Sequence, residues 1–266
     1  MKYYVISDTH GFYDETVAAL TKAGWYDEVE PRKLVICGDL MDRGGQALEM
    51  QDFVCDLMER DEVVLVKGNH EDLFEDLLDR FDYYMQYVGI ANTVHYPNGT
   101  FDTALQLAHC DFDFAYNFTA QTVRRLEKSA YVRKILPQMR DYFETDNYVF
   151  VHGWFPCTTR AEDYVCALNK YKYYDDWRQA SAEEWKSARW LHGMDCAVKY
   201  GAIVPGKTTV CGHWHCSYGH AKLEGDRNGA EFGINADYSP FYADGVIAID
   251  ACTAVSRVVN CLVIED

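Results

Sequence analysis

Short apolar, β-branched runs alternate along the first third of the chain with stretches whose apolar positions recur every three or four residues. Lys2–Ser7 is the first run and ends at a polar loop; Lys33–Cys37 and Val63–Val66 are the next two. Between them, Asp14–Ala23 sets Val17 and Leu20 at helical spacing, and Gly24 can close that helix in a left-handed conformation. Gln46–Arg60 carries Met50, Phe53, Val54, Leu57 and Met58, a stripe at i, i+3 and i+4 that buries one helix face. A loop after Val66 leads to a further helix through Leu73, Leu77 and Leu78. Strand, helix, strand, helix, strand predicts an α/β layer architecture that begins with a parallel or mixed sheet.

The rhythm breaks over residues 83–146. This stretch is mostly helical in pattern, with a turn at Tyr96–Pro97–Asn98–Gly99 and a helix expected over Ala120–Lys134, and reads as an insertion or cap over one face of the core. Strands are expected again at Tyr148–Val151, Thr208–Cys211, Val246–Asp250 and Val258–Ile264, with a helix around Ala182–Lys199. They predict a second, more antiparallel sheet, and Glu224–Gly233 reads as a loop or loose hairpin. No repeat or linker divides the chain, so residues 1–266 are expected to form one domain.

Composition narrows the function. A formal charge of −17 argues against a nucleic acid polymer as partner, because backbone binding needs clustered Lys and Arg. It would also repel a phosphorylated substrate at long range, so capture of an anion requires local cations, either metals or an Arg. Aromatics reach 15%, with 20 Tyr, which suits ring-lined packing or a ring-lined pocket. No apolar run is long enough for a membrane span, and MKYYVISDTHG enters a strand without the pattern of a signal peptide. The 10 cysteines are scattered without a CxxC pair, and free thiols in a cytoplasmic protein are the expectation.

The chemistry lies in the loops at the strand ends. Ser7–Asp8–Thr9–His10–Gly11 comes after the first strand, Gly38–Asp39–Leu40–Met41–Asp42–Arg43–Gly44 after the second and Gly68–Asn69–His70–Glu71 after the third. Val151–His152–Gly153 and Cys211–Gly212–His213–Trp214–His215 come after two later ones. In open α/β sheets, ligands gather at the carboxyl ends of strands, so five such loops can meet at one point. Each offers Asp, Asn or His, and neighbouring glycines let the backbone bring short side chains close. One such loop alone is weak; five in this order at five strand ends are not chance.

The series DTHG, GDLMDRG, GNHE, HG and GHWH resembles the calcineurin-like metallophosphoesterases. The DRG and GNHE forms are similar to the phosphoprotein phosphatase branch and its bacterial relatives, which include dinucleoside tetraphosphate hydrolases. The resemblance runs to about residue 215, leaving the segment between the third and fourth motifs unmatched. It implies a four-layer αββα sandwich of two mixed sheets, with a binuclear metal centre at one edge. Carried over by position, Asp8 and His10 would bind the first metal, Asp39 would bridge both, and Asn69, His152 and His213 would hold the second. His215 would complete the first site, although the phosphoprotein phosphatase pattern usually has Thr there. Two divalent or trivalent ions are implied; manganese is the first expectation, and iron or zinc also suits the oxygen and nitrogen donors.

Such a centre would lower the pKa of a bridging water and drive in-line attack on phosphorus. His70 would act as general acid and Asp42 would orient it, roles that the resemblance also assigns. Arg43 would grip phosphate oxygens as a fork, and Arg189 is the candidate for a second substrate-side Arg. His95, His109, His192 and His220 are expected at surface or satisfied core positions. The resulting expectation is a phosphomonoesterase of the serine/threonine phosphatase type, acting on a phosphoprotein or a small phosphorylated metabolite. The alternatives are a dinucleoside tetraphosphate or cyclic nucleotide hydrolase, and a non-catalytic scaffold on the same fold.

Overall fold

A computed structural model describes residues 1–225 and 229–266. The first unit runs β1 (Lys2–Ile6), α1 (Tyr13–Ala23), β2 (Arg32–Cys37), α2 (Ala47–Glu59), β3 (Val63–Val66) and α3 (Asn69–Asp79). Gly24 closes α1 at φ 86°, as its position implied. Helix α3 starts directly at Asn69, so the loop expected between β3 and this helix is nearly absent.

Then come α4 (Phe81–Tyr83), α5 (Thr100–Leu107), α6 (Phe112–Asn117), α7 (Thr119–Leu126) and the short strand β4 (Phe143–Glu144), the last four within the stretch expected as an insertion. The single helix expected over Ala120–Lys134 is instead α7 and then a separate π-helical turn at Tyr131–Ile135. Next come β5 (Tyr148–Phe150), α8 (Ala182–Ala188), α9 (Gly193–Val198), β6 (Thr208–Cys211) and α10 (Cys216–Lys222). The chain ends with β7 (Phe241–Ala243), β8 (Val246–Ala248), α11 (Thr253–Ser256) and β9 (Leu262–Glu265). Sequence patterning foresaw neither α10 nor β7. Of the expected loop at Glu224–Gly233, residues 226–228 lie outside the described residues, and residues 229–233 form no strand.

Two mixed sheets result. The first has the order β3-β2-β1-β9, with β1, β2 and β3 parallel and β9 antiparallel to β1. The last strand therefore returns to the first sheet rather than extending the second. The second sheet has the order β4-β5-β6-β8-β7, parallel across β5-β6 and β6-β8 and antiparallel at both edges, so it is less antiparallel than expected.

Period-two alternation in the strands divides the apolar side chains among three cores. Tyr4, Ile6, Leu34 and Ile36 face outward to Leu20, Met50, Val54, Phe74 and the insertion's Phe101, Leu107 and Leu126. Val149, Val151 and Cys211 face outward to Trp185, Ala188 and Met194. Val5, Val35, Phe150, Val210 and Ile249 lie between the sheets. Three apolar seams define four layers, helix–sheet–sheet–helix, and each fully buried side chain of this size contributes ~1.5–3 kcal/mol of burial. Helices α5 and α7 pack into the first of these cores with α2 and α3. Among the described residues no helix is long and apolar enough to cross a membrane, and all ten cysteines are free.

Candidate metal centre

The loops after β1, β2, β3, β5 and β6 meet at the carboxyl ends of their strands. Backbone bonds tie the first two together: Asp8 N–H donates to Gly38 O at 3.1 Å, and His10 N–H to Asp39 O at 3.0 Å. To aim their side chains inward, Asp8, His10, Asp39 and His213 adopt φ between 49° and 66°. This left-handed backbone costs a non-glycine residue ~1–2 kcal/mol, so the surroundings must hold it. Gly38 shows how tight the meeting point is. A Cβ there would lie 2.6 Å from His152 Nδ1 and 2.7 Å from Gly68 Cα.

A buried carboxylate to which the motifs assign no role does much of the holding. Glu71 accepts the backbone N–H groups of Asp39 (3.0 Å), Leu40 (3.0 Å) and Gly68 (2.6 Å). It is the third residue of α3 and bonds back to the cap at Gly68, a capping-box position that the GNHE motif does show. Here the same side chain also reaches the neighbouring loop, which the motif cannot show.

Asp39 divides its two oxygens between two groups. Oδ2 lies 3.8 Å from both His10 Nε2 and His70 Nε2. Oδ1 lies 3.2 Å from His152 Nε2, which in turn is 2.8 Å from Asn69 Oδ1. Two clusters therefore share one aspartate: His10–Asp39–His70 and Asp39–His152–His213 have ligand atoms mutually within 4.8 Å. Asp8 belongs to neither group; its carboxylate lies beside them and accepts the backbone N–H of His213 at 2.9 and 3.1 Å. The ring orientations fit metal binding. His10 Nδ1 faces Met41 O at 3.1 Å, so the ring donates backward and presents a lone pair on Nε2. His152 Nδ1 likewise faces Cys37 O at 2.9 Å, but against the effect of burial the Asp39 carboxylate raises this imidazole to about 10, so its Nε2 must release a proton before it can bind an ion.

Burial and crowding set the charges. Burial pushes the Asp8 carboxyl up to about 6, with Asp39 adding to the rise and His152 opposing it. Burial alone would also raise Asp39, but the imidazoles of His152, His70 and His10 hold it well below the usual carboxylate range. Burial keeps His10 and His213 neutral, His213 down to about 3, which suits them as lone-pair donors. Asp250, also unforeseen, is buried beneath Asp8, and burial together with Asp8's charge raises its carboxyl far above the ordinary value. A pocket that gathers this many buried carboxylates suits cations.

The two residues expected to act as acid and orienting carboxylate are in contact. His70 Nδ1 lies 2.7 Å from Asp42 Oδ2, both groups buried. Arg43 stands over the site, donating from Nη1 to His10 Nε2 at 2.8 Å and from Nη2 to His70 Nε2 at 3.1 Å.

Two expected residues go elsewhere. His215 belongs to neither cluster; its ring meets Ser217 Oγ at 2.9 Å and Glu231 Oε1 at 3.3 Å. Arg189 is neither a solvated helix Arg nor a free phosphate fork. It is buried, with Nε and Nη2 on Asp72 (2.7 and 3.0 Å) and Nη1 on Asp141 (2.7 Å). The single helix expected over Ala182–Lys199 is instead α8 and α9, separated at residues 189–192. The carbonyls of Ala188 and Arg189 pack against Gly153, where a Cβ would come within 2.8 and 2.5 Å. Arg189→Ala should therefore cost about 1–3 kcal/mol, because buried Asp72 loses two charge-assisted hydrogen bonds but keeps Lys67 Nζ at 3.2 Å. A melting curve reads this loss, with substrate KM little changed; a large KM rise at unchanged stability would restore the phosphate-binding role.

Among the remaining histidines, His95 is buried on Asp76 at 3.0 Å, and His192 caps α9. His220 bonds Glu224 and Ser239.

Comparison with known proteins supplies relatives for this arrangement. The bis(5'-nucleosyl)-tetraphosphatase PrpE [asymmetrical] of Bacillus velezensis is 44% identical over 78 residues, 26% of this chain and 30% of that protein. A symmetrical bis(5'-nucleosyl)-tetraphosphatase of Klebsiella pneumoniae is 42% identical over 73 residues, 27% of this chain and 24% of that protein. The chain thus spans less than a third of the length of these curated relatives. Among solved structures, a protein serine/threonine phosphatase from Saccharomyces cerevisiae aligns with TM-score 0.48 and 13% identity, over 100% of this chain and 80% of that one. The family model of calcineurin-like phosphoesterases matches residues 1–217, which takes in all five loops that meet at Asp39. With that much of its length inside the match, this chain belongs to the calcineurin-like phosphoesterase family.

Proposed function

We propose that the chain is a metal-dependent hydrolase of phosphate esters, in which Asp8, His10, Asp39, Asn69, His152 and His213 hold two ions on either side of Asp39. The observation that carries this reading is the division of the Asp39 oxygens between two groups of largely buried nitrogen and oxygen donors. When bound, such ions supply Lewis acidity at phosphoryl oxygens and lower the pKa of an attacking water.

The chain's own residues do the rest. Asp42 fixes the Nδ1–H of His70, which leaves Nε2 to deliver a proton to the departing oxygen. Arg43 brings a planar fork to the same place and can neutralise phosphate oxygens. When Nε2 carries that proton it no longer accepts from Arg43, which frees the Arg for substrate.

Hydrolysis of a phosphomonoester, as in a serine/threonine phosphatase, fits this machinery. A second reading, cleavage of a dinucleoside tetraphosphate, is favoured by two half-exposed indoles at the rim. Trp190 stands edge-on to His213 with ring centroids 5.8 Å apart, and Trp214 lies over His192 at 4.5 Å. Rings so placed can stack a nucleobase, and the names of the curated relatives point the same way. The test is a panel of phosphopeptide, p-nitrophenyl phosphate, its bis-ester and a dinucleoside tetraphosphate, run with manganese, iron or zinc. On the nucleotide reading, Trp190→Ala raises KM by roughly 5- to 100-fold for the dinucleotide alone, the worth of one stacked base. Equal effects on all substrates would remove the stacking role, and hydrolysis of none with any ion would remove the enzyme.

A further inference from the structure

One face of α5 reads the loop that carries the catalytic pair. Gly99 sits against the Arg43 backbone so closely that a Cβ there would come within 2.9 Å of Arg43 Cα. One residue on, the Thr100 hydroxyl donates to Asp42 Oδ2 at 2.7 Å, the same oxygen that meets His70 Nδ1. Thr103 accepts the Asp42 backbone N–H at 2.9 Å. Gln106 then bonds Gly44 O at 3.1 Å and the Ala47 N–H at 3.0 Å. Positions 100, 103 and 106 are one helical turn apart, so these contacts lie along one stripe of the helix. Thr100 and Thr103 are fully buried, and Asp42 holds φ at 73°, where an unsupported residue would relax. Among the described residues the other oxygen of Asp42 has no hydrogen-bond partner, so the Thr100 hydroxyl is the one side-chain hydrogen bond besides that of His70 itself that orients this carboxylate.

We infer that Thr100, supplied by the helical insertion, is a positioning residue for proton donation by His70. The inference rests on the general-acid reading of His70. Without the hydroxyl, the His70–Asp42 bond is left as the sole side-chain restraint on Oδ2, so the carboxylate and the imidazole can swing together and Nε2 drifts from the leaving-group oxygen.

Leaving-group basicity separates this role from a merely structural one. Phenolate needs a proton as it departs far more than p-nitrophenolate does, so a misaligned acid penalises phenyl phosphate selectively. In the manganese-loaded protein, Thr100→Val is expected to lose roughly tenfold more kcat on phenyl phosphate than on p-nitrophenyl phosphate, with metal content unchanged and Thr100→Ser restoring both rates. If the valine variant does not fold, Thr100→Ala carries the same comparison. Equal losses on the two esters, or failure of serine to restore, overturn the proposal. His70→Asn, measured in parallel, must show the same selectivity. If it does and the Thr100 variants do not, only Thr100's role falls; if it does not, the general-acid reading falls and the proposal with it.

Discussion

Asp39→Asn empties at least one of the two metal positions and lowers turnover on the order of a thousandfold or more, the scale expected when groups that stabilise charge at phosphorus are lost together. The change keeps the size of the side chain, and one retained oxygen can still accept the His70 backbone N–H now held by Oδ1 at 3.0 Å. What it removes is the second lone-pair oxygen. An amide can serve the His152–Asn69 side or the His10 side, but not both. Metal analysis after reconstitution and exhaustive desalting is the deciding measurement. Wild-type protein should hold two ions and the variant one or none, while a variant that keeps two ions and its activity would show that Asp39 bridges nothing.

His70→Asn has the opposite signature. Turnover falls by about 10²- to 10⁴-fold, the ordinary worth of a positioned general acid, while the protein still holds two ions. The distinction matters because His70 Nε2 is as close to Asp39 Oδ2 as His10 Nε2 is, at 3.8 Å. Distance alone therefore does not separate ligand from acid, and because ligating imidazoles also pair Nδ1–H with carboxylates, metal content of the variant is the deciding measurement. His10 and His152 turn Nδ1 to neutral backbone carbonyls, whereas His70 turns it to the Asp42 carboxylate. Charge from Asp39 and Asp42 raises the proton affinity of His70 against the opposing effect of burial, as suits a group that must carry and then release a proton. Loss of metal in this variant would reassign His70 as a ligand.

The strands were legible in the sequence because their signal is local. Val63–Val66 forms a strand with the bounds its apolar run implied, and β2 pairs with it in parallel register from Leu34 to Cys37. The ligand loops were legible because Asp, Asn and His beside glycine at strand ends form a chemical pattern. Non-local effects were not legible. Nothing in Leu262–Glu265 says that it will pair with β1 at the opposite end of the chain. Arg189, just after α8, is buried because two carboxylates distant in sequence claim its guanidinium. His215 fits the motif spacing, yet Ser217 and Glu231 take its ring. Thr100 looked like any residue after a turn, because its hydroxyl acquires meaning only once α5 is laid across the Asp42 loop.

The three apolar seams have a mechanical corollary. Asp8, His10, Asp39 and Asn69 hang from the first sheet, while His152 and His213 hang from the second. Asp39 and His152 face each other across that divide at 3.2 Å. A slip of about one ångström between the layers would pull this pair apart. The interlock of Val5, Val35, Phe150 and Val210 is thus an alignment jig as well as a hydrophobic filling, and ions seated at Asp39 would act as rivets through two plates.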